Sequence, residues 1–379
     1  MQGKRNFSRR NRKRRRRSTS SPKVTVRSTI LSKPMKSAAF LILSIFPMIG
    51  GCYLLKQGTY LLSYNSRSRP IEKVLAEGSA GGDAEKMLRN VQEIRRYAVE
   101  EIGLEQNRNY TRYLELDKDY IVDVVTACAA DSFTPHQWRF PLAGSFPYKG
   151  FYEQADAQRE ANRLEKKGLD VWIRRVDGFS TLGLLSDPIY SFMTDYSLYS
   201  LADLIIHEQT HATIFIKNQI QFNEELATFV GREGALSFLR DRYGPDSEAY
   251  SQAVAGLADR RVFRDRILAL HDRLEQIYSM ETDRETILAQ KLRIVEQFNQ
   301  RLISEAPEVF RTDRFRSFKG IPANNAYIMS FVRYNQDLEL FYSLYEVNGR
   351  NLRSAVEDLK RLQKAKGPPK QALKQLIAE

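Results

Sequence analysis

Apolar positions recur at helical spacing through most of the chain beyond residue 82. From Asp83 to Gly103 the residues Met87, Leu88, Val91, Ile94 and Ala98 fall on one stripe, which predicts a helix. Ser197–Lys217 carries the strongest such pattern, with Leu201, Leu204, Ile205 and Ile214 on its apolar side, and a second helix is predicted over Asn223–Arg240. Ser247–Ser304 reads as two long, charge-laced helices forming a hairpin or arm, and Asn324–Val347 and Leu352–Ala365 read as closing helices. Phe151–Lys167 is a further predicted helix, stopped by Gly168. Strand signals are fewer. Tyr120–Val125 is β-branched and bounded by polar residues, Asp170–Val176 contains Trp172 and Ile173, and Ser180–Leu185 is a third, shorter candidate. The stretch Phe133–Gly150 is dense in Pro, Gly and aromatics and predicts irregular structure. Nearer the amino end, Tyr53–Arg69 is mixed, Pro70 opens a helical segment and Gly78–Gly82 is a flexible break. The pattern predicts an α+β fold, predominantly helical, and the absence of a repeat of roughly 20–50 residues argues against a solenoid.

Composition adds that 379 residues, 42% of them apolar, can bury a substantial core. Two cysteines, Cys52 and Cys128, cannot supply a disulfide framework, and Cys128 reads as a small buried residue. The net charge of +13 suggests a polyanion partner until it is located. Residues 1–34 hold 13 Lys/Arg and no acid, and the 46 basic residues that remain balance the 46 acids. A nucleic-acid partner is therefore not expected, because such a fold needs its charge on the folded part. A tether through the basic arm to nucleic acid or acidic lipid is the one way that charge could act.

After the arm, Met35-Lys36 precedes an uncharged run whose apolar part, Ala38–Ile49, is short for a bilayer span of ~20 residues but matches a signal-peptide core. It ends in Ile49-Gly50-Gly51-Cys52, which resembles a bacterial lipobox, with Cys52 as the acylated residue. On this reading Met35 is the start, residues 35–51 are a lipoprotein signal peptide, and Cys52 anchors the protein on the periplasmic side of a bacterial envelope. Tyr53 in place of Asp after the cysteine favours the outer membrane by analogy.

His207-Glu208-Gln209-Thr210-His211 is an H-E-x-x-H motif inside the strongest predicted helix. Residues four apart share a helix face, so both imidazoles can converge on one Zn²⁺, and Glu208 can take a proton from its water. A structural zinc closes its coordination, whereas a catalytic one keeps three protein ligands and an open position. Glu224 and Glu225, at the start of the next helix, both qualify by type as third ligand. Neighbours on a helix point about 100° apart, so only one can serve. Asp203, one turn before His207, is placed to hydrogen-bond a ligand imidazole. Asn223 reads as a helix cap or ligand-orienting residue, and His271 as a surface residue.

The run Leu201–Gly231 resembles the bacterial predicted-aminopeptidase family of zinc-dependent lipoproteins. So do Gly51-Cys52 with Arg69-Pro70-Ile71, Phe146–Tyr152, Ser180–Gly183 with Asp187-Pro188, and Asn324–Tyr327, in the same order. The resemblance implies a gluzincin-like, zincin-type metallopeptidase core with an active-site HExxH helix and a following Glu-bearing helix. It also implies one zinc per chain, peptide substrates and Glu224 as the third ligand. The family has Asn-Glu-Ser where this chain has Asn223-Glu224-Glu225. Tyr327 and Tyr148 lie in the shared blocks and are candidates to stabilise the oxyanion, with Tyr327 taken as catalytic beside Glu208; His136 is a weaker candidate. An aminopeptidase must also bind a free α-amine, for which Glu225, Glu153 and Asp187 are available. The expected domains are 1–34 (basic arm), 35–51 (signal peptide), 52–82 (anchor and linker) and 83–379 (peptidase, with a helical insertion over about 246–305). The competing reading is a catalytically silent zinc-bearing lipoprotein that acts as a scaffold through its hairpin; no oligomeric state is implied.

Overall fold

Tyr60, Leu61 and Tyr64 pack against the body of the protein, Tyr60 stacking on Tyr152 at 5.1 Å and Tyr64 meeting Tyr190 at 6.2 Å. This aromatic stripe makes a helix, α1 (Gly51–Arg67), of a segment whose Gly58, Ser63 and Asn65 dilute any helical signal in the sequence. Tertiary packing, not propensity, decides it. The computed structural model describes residues 51–140, 144–176, 187–333, 338–365 and 367–378. The predicted basic arm, almost all of the predicted signal segment and the predicted strand Ser180–Leu185 lie outside them.

From α1 the chain enters β1 (Arg69–Pro70), α2 (Ile71–Ala76) and α3 (Gly82–Glu100). Ile71 and Val74 are buried in the main core, so the segment expected as a linker is packed there. The five predicted apolar positions of α3, Met87 to Ala98, are all buried. Next come β2 (Arg112–Leu114), β3 (Val122–Ala129), β4 (Trp138–Phe140), β5 (Gly144–Phe146), β6 (Tyr148–Phe151), α4 (Gln154–Glu165), β7 (Leu169–Val176) and β8 (Ile189–Tyr190). The stretch expected to be irregular thus contains the hairpin β4–β5, and Phe151, expected in a helix, ends β6. The remaining elements are α5 (Leu198–Thr213), α6 (Ile220–Tyr243), α7 (Glu248–Tyr278), α8 (Arg284–Val309), α9 (Asp313–Arg316), α10 (Asn325–Arg333), α11 (Leu338–Val347), α12 (Leu352–Arg361) and α13 (Pro369–Ala378). The fold is α+β and mostly helical, as the pattern predicts. Among the described residues no helix is long and apolar enough to cross a membrane.

Three apolar clusters organise these elements. The main one surrounds α5 and α6, with α1, α3 and the carboxy-terminal helices. A second joins α7 and α8 to α10. His271, expected at the surface, belongs beside it: its ring stacks on Phe133 at 4.1 Å. The third cluster lies under the antiparallel sheet β6-β3-β7. Successive strand residues face opposite ways. Val125, Ala127 and Val171 accordingly meet Ala157, Ala161 and Leu164 of α4, while Trp172 and Arg174 lie on the other face, where Trp172 meets Tyr327 of α10. Cys128 is buried on β3, its thiol directed at the carbonyls of Ser132 and Thr134.

Glu160 ties α4 to strand β4. It accepts hydrogen bonds from Arg163 and from Trp138 Nε1, both at 2.7 Å. The Arg163 bond foremost, against opposing desolvation, holds its carboxyl down at about 2 from the usual 4.5. A depressed folded value stabilises above the unfolded value, and that stability is lost as pH falls from 4.5 toward 2. Urea unfolding at pH about 5 and about 3 should show a smaller acid-side loss of stability for Glu160→Gln than for the unaltered chain. An unchanged slope would assign the acid sensitivity to other groups.

Candidate metal centre

Ser197 starts the helix that carries the motif: its hydroxyl accepts the Ser200 N–H at 3.1 Å. The helix ends at Thr213, earlier than the predicted Lys217. Ile214 adopts an extended conformation, and the Ile216 backbone bonds elsewhere. Its N–H donates to Asn223 Oδ1 at 3.0 Å and its carbonyl accepts from Asn223 Nδ2 at 2.8 Å. Asn223 is therefore not the cap of α6, which begins at Ile220; it pins the loop that turns α6 back along α5. Asn218, with φ at 63°, makes the left-handed step in that loop.

The return stroke is unusually close. A Cβ on Gly231 would stand 2.7 Å from Asp203 Oδ1, 3.0 Å from the Asp203 carbonyl oxygen and 3.1 Å from His207 Cβ. One on Gly234 would stand 2.8 Å from Ile102 Cδ1 and 3.0 Å from Ile206 Cγ2. Hydrogen atoms in place of side chains at these two positions let α6 lie against the face of α5 that bears His207.

Three side chains converge as a result. His207 Nε2 and His211 Nε2 are 3.2 Å apart, and Glu224 Oε2 and Oε1 lie 3.7 Å from the first and second of these nitrogens. Ligands of a tetrahedral ion at ~2.0–2.1 Å stand about 3.3 Å from one another, so the donor set and its spacing fit zinc. His211 keeps 8% of its side-chain surface, but His207 keeps 21% and Glu224 26%, which leaves one side of the cluster open. Glu208 is buried beside them on the same helix.

The electrostatics suit such a centre. Burial, with the charge of His207, pushes the His211 imidazole down to about 4, so it is neutral at ordinary pH. Burial works the same way on His207, but the Glu224 hydrogen bond and the charges of Glu208, Glu224 and Asp203 raise it overall. Glu224 is held below its ordinary value: desolvation opposes this, while His207, His211 and Arg174 of β7 overcome it. Asp203, packed against Gly231, is raised chiefly by desolvation despite the charge of His207.

The other candidates make contacts with different residues. Glu225 points away from the histidines and is fully buried, accepting from Gln221 Nε2 at 2.7 Å and lying 3.4 Å from Lys370 Nζ of α13. Glu153 accepts the Tyr60 hydroxyl at 2.6 Å. Tyr327 packs edge-on against Trp172 at 4.8 Å and its backbone N–H donates to Asn324 Oδ1 at 3.0 Å. Tyr148 meets Phe146 at 5.9 Å, and His136 meets Trp138 at 4.6 Å. A residue the sequence does not signal is nearer. Tyr110 is buried with φ at 57°, and its hydroxyl is raised first by burial, then by the charges of Glu208 and Asp187. Its N–H donates to the Asp187 carbonyl at 2.7 Å. Arg174 and Lys370 likewise carry no motif, and only the fold brings them to these carboxylates.

Gly231→Ala should destabilise the protein by about 1–3 kcal/mol through overpacking and weaken its uptake of added zinc. Gly256→Ala, at a position on α7 with nothing within 4 Å, is the matched control. Thermal melts and metal analysis of both variants would show it, and equal behaviour of the two would rule out a tight helix contact.

No curated protein and no solved structure matches the chain. A family model described as "Putative aminopeptidase" matches residues 52–374, from Cys52 into α13. The span takes in α5, α6 and every residue of the cluster, and the chain belongs to this family.

Proposed function

We propose that the protein is a zinc-dependent peptidase of gluzincin type, with a zincin-like core, that acts at free amino ends of peptides. The observation that carries this reading is the convergence of His207, His211 and Glu224 at ligand spacing, with Glu208 buried one residue along the same helix. The family match supports the peptidase class.

Zinc held by His207, His211 and Glu224 would polarise a scissile carbonyl and acidify water. Glu208 accepts the proton of the attacking water and returns it to the leaving amine, a role that suits a carboxylate screened from bulk solvent. The Tyr110 hydroxyl stays protonated because of its burial and the carboxylates around it, so it can donate to the developing oxyanion. It takes this role in preference to Tyr327, whose ring is committed to Trp172. Of the acids proposed for α-amine recognition, Asp187 is the best placed. It shares Tyr110 as a neighbour with Glu208, whereas Glu225 is occupied by Gln221 and Lys370. Anchoring through a lipid on Cys52 accords with a family match that begins at that residue.

Glu208→Gln should retain about one zinc per chain and lose roughly 10²–10⁴-fold in kcat on aminoacyl reporters. A variant that hydrolysed them at the original rate would remove Glu208 from the mechanism. Metabolic labelling with a palmitate analogue should mark the protein in cells, and Cys52→Ala should abolish the label. Labelling that survives the substitution would disprove the anchor.

A further inference from the structure

A half-open cavity of about 570 Å³ lies between the last turn of α1, α3 and the loop leading into β2. Its walls carry Arg95, Arg108 and Arg112 against a single carboxylate, Glu72. Arg112 is fixed from behind: its Nε donates to Ser68 Oγ at 2.7 Å and a terminal nitrogen donates to the Ser68 carbonyl. Arg95 donates one terminal nitrogen to the Asn107 carbonyl at 2.8 Å, while its Nε is buried with no acceptor among the described residues. Among the described residues neither guanidinium has a carboxylate partner, and burial alone, unopposed by any anionic charge, acts on Arg95.

The loop beside the cavity holds two more such atoms. Asn107 Nδ2 and Asn109 Nδ2 are buried without acceptors among the described residues. All three orphaned atoms are donors. Each costs about 1–3 kcal/mol when left unsatisfied, and more when charged. The same loop holds Tyr110 in the left-handed region, a conformation that a bulky residue keeps only where its surroundings impose it. Half-buried guanidiniums without a carboxylate, with orphaned donors and a strained backbone in the adjoining loop, are what a site for a hydrogen-bond-accepting anion requires.

We propose that this cavity is an oxyanion site in which Arg95 and Arg112 hold a carboxylate or phosphate group. The planar guanidinium fork suits either anion, and two chemical sources can present it: the carboxyl end of a short peptide, or free phosphate. The site is distinct from the histidine cluster and does not depend on its activity, although Tyr110 borders both.

Calorimetric titration of the chelator-treated full chain at constant ionic strength separates this site from metal binding and from hydrolysis. The probes are N-acetyl-alanyl-alanine, its carboxy-terminal amide and sodium phosphate. Saturable binding of the free acid, at least about tenfold tighter than the amide, is expected, and Arg95→Gln should weaken it roughly tenfold or more. The ligand-free melting temperature of Arg95→Gln should fall little, since the substitution gives up one hydrogen bond to the Asn107 carbonyl but also removes a half-buried charge that has no carboxylate partner among the described residues. Phosphate that displaces the acid, or that binds when the acid does not, identifies the ligand as a free anion. Acid that binds without competition from phosphate identifies a peptide carboxylate. Equal binding of acid and amide without phosphate binding, absence of saturable binding by both acid and phosphate, or an Arg95→Gln variant of unaltered affinity each overturns the proposal. Should Arg95→Gln not fold, Arg95→Lys, which keeps the charge and loses the fork, replaces it, and the acid-to-amide ratio in the unaltered chain still decides.

Discussion

Everything at the centre of this molecule depends on how closely α6 can approach α5. Gly231 and Gly234 leave no Cβ between the two helices, and the Asp203 carbonyl and the Ile206 side chain fill the space that one would occupy. A methyl group at either position would hold the helices apart, and Glu224 would no longer reach nitrogens that it now approaches to 3.7 Å. Asn223 adds the second half of the constraint. By satisfying both backbone groups of Ile216 it fixes the loop, and so fixes the register in which α6 returns. The loop sets the register and the glycines set the distance.

That geometry has an electrostatic consequence. Burial would ordinarily disfavour charge on each of two imidazoles and a carboxylate crowded into such a site. Here the charges are divided: His211 is forced neutral by burial, while His207 and Glu224 stabilise each other's charged forms with help from Arg174. His207 and Glu224 thus each favour the other's charged form while His211 offers a neutral nitrogen, a donor set suited to a divalent cation. Glu225, one position on, shows the cost of a carboxylate in the same helix without such a partner set. It is fully buried and relies on Gln221 and Lys370, so α13 is bound to the helix that carries Glu224.

Helices with a clean apolar period were legible in the sequence. The five buried positions of α3 and both arms of the hairpin α7–α8 follow from spacing alone. Segments that fold by specific aromatic contact were not. The helix α1 depends on Tyr60 and Tyr64 finding Tyr152 and Tyr190, residues far along the chain, and the hairpin β4–β5 lies within a stretch rich in Pro and Gly. His271 reads as a surface residue because its neighbours are charged, but Phe133 lies over its ring.

The sequence by itself determined the motif chemistry and its local geometry. Two histidines four apart in a strong helical pattern must share a face, because the helix period makes it so. It also limited the third partner to one of two adjacent carboxylates, which point about 100° apart. Which of them turns toward the histidines depends on the rotation of α6 about its axis, and no local pattern encodes that rotation. Only the tertiary structure decided it, through the glycine contact and the Asn223 clasp. The same holds for Tyr110, Arg174 and Lys370, whose proximity to the site arises from chain segments distant in sequence and joined by packing.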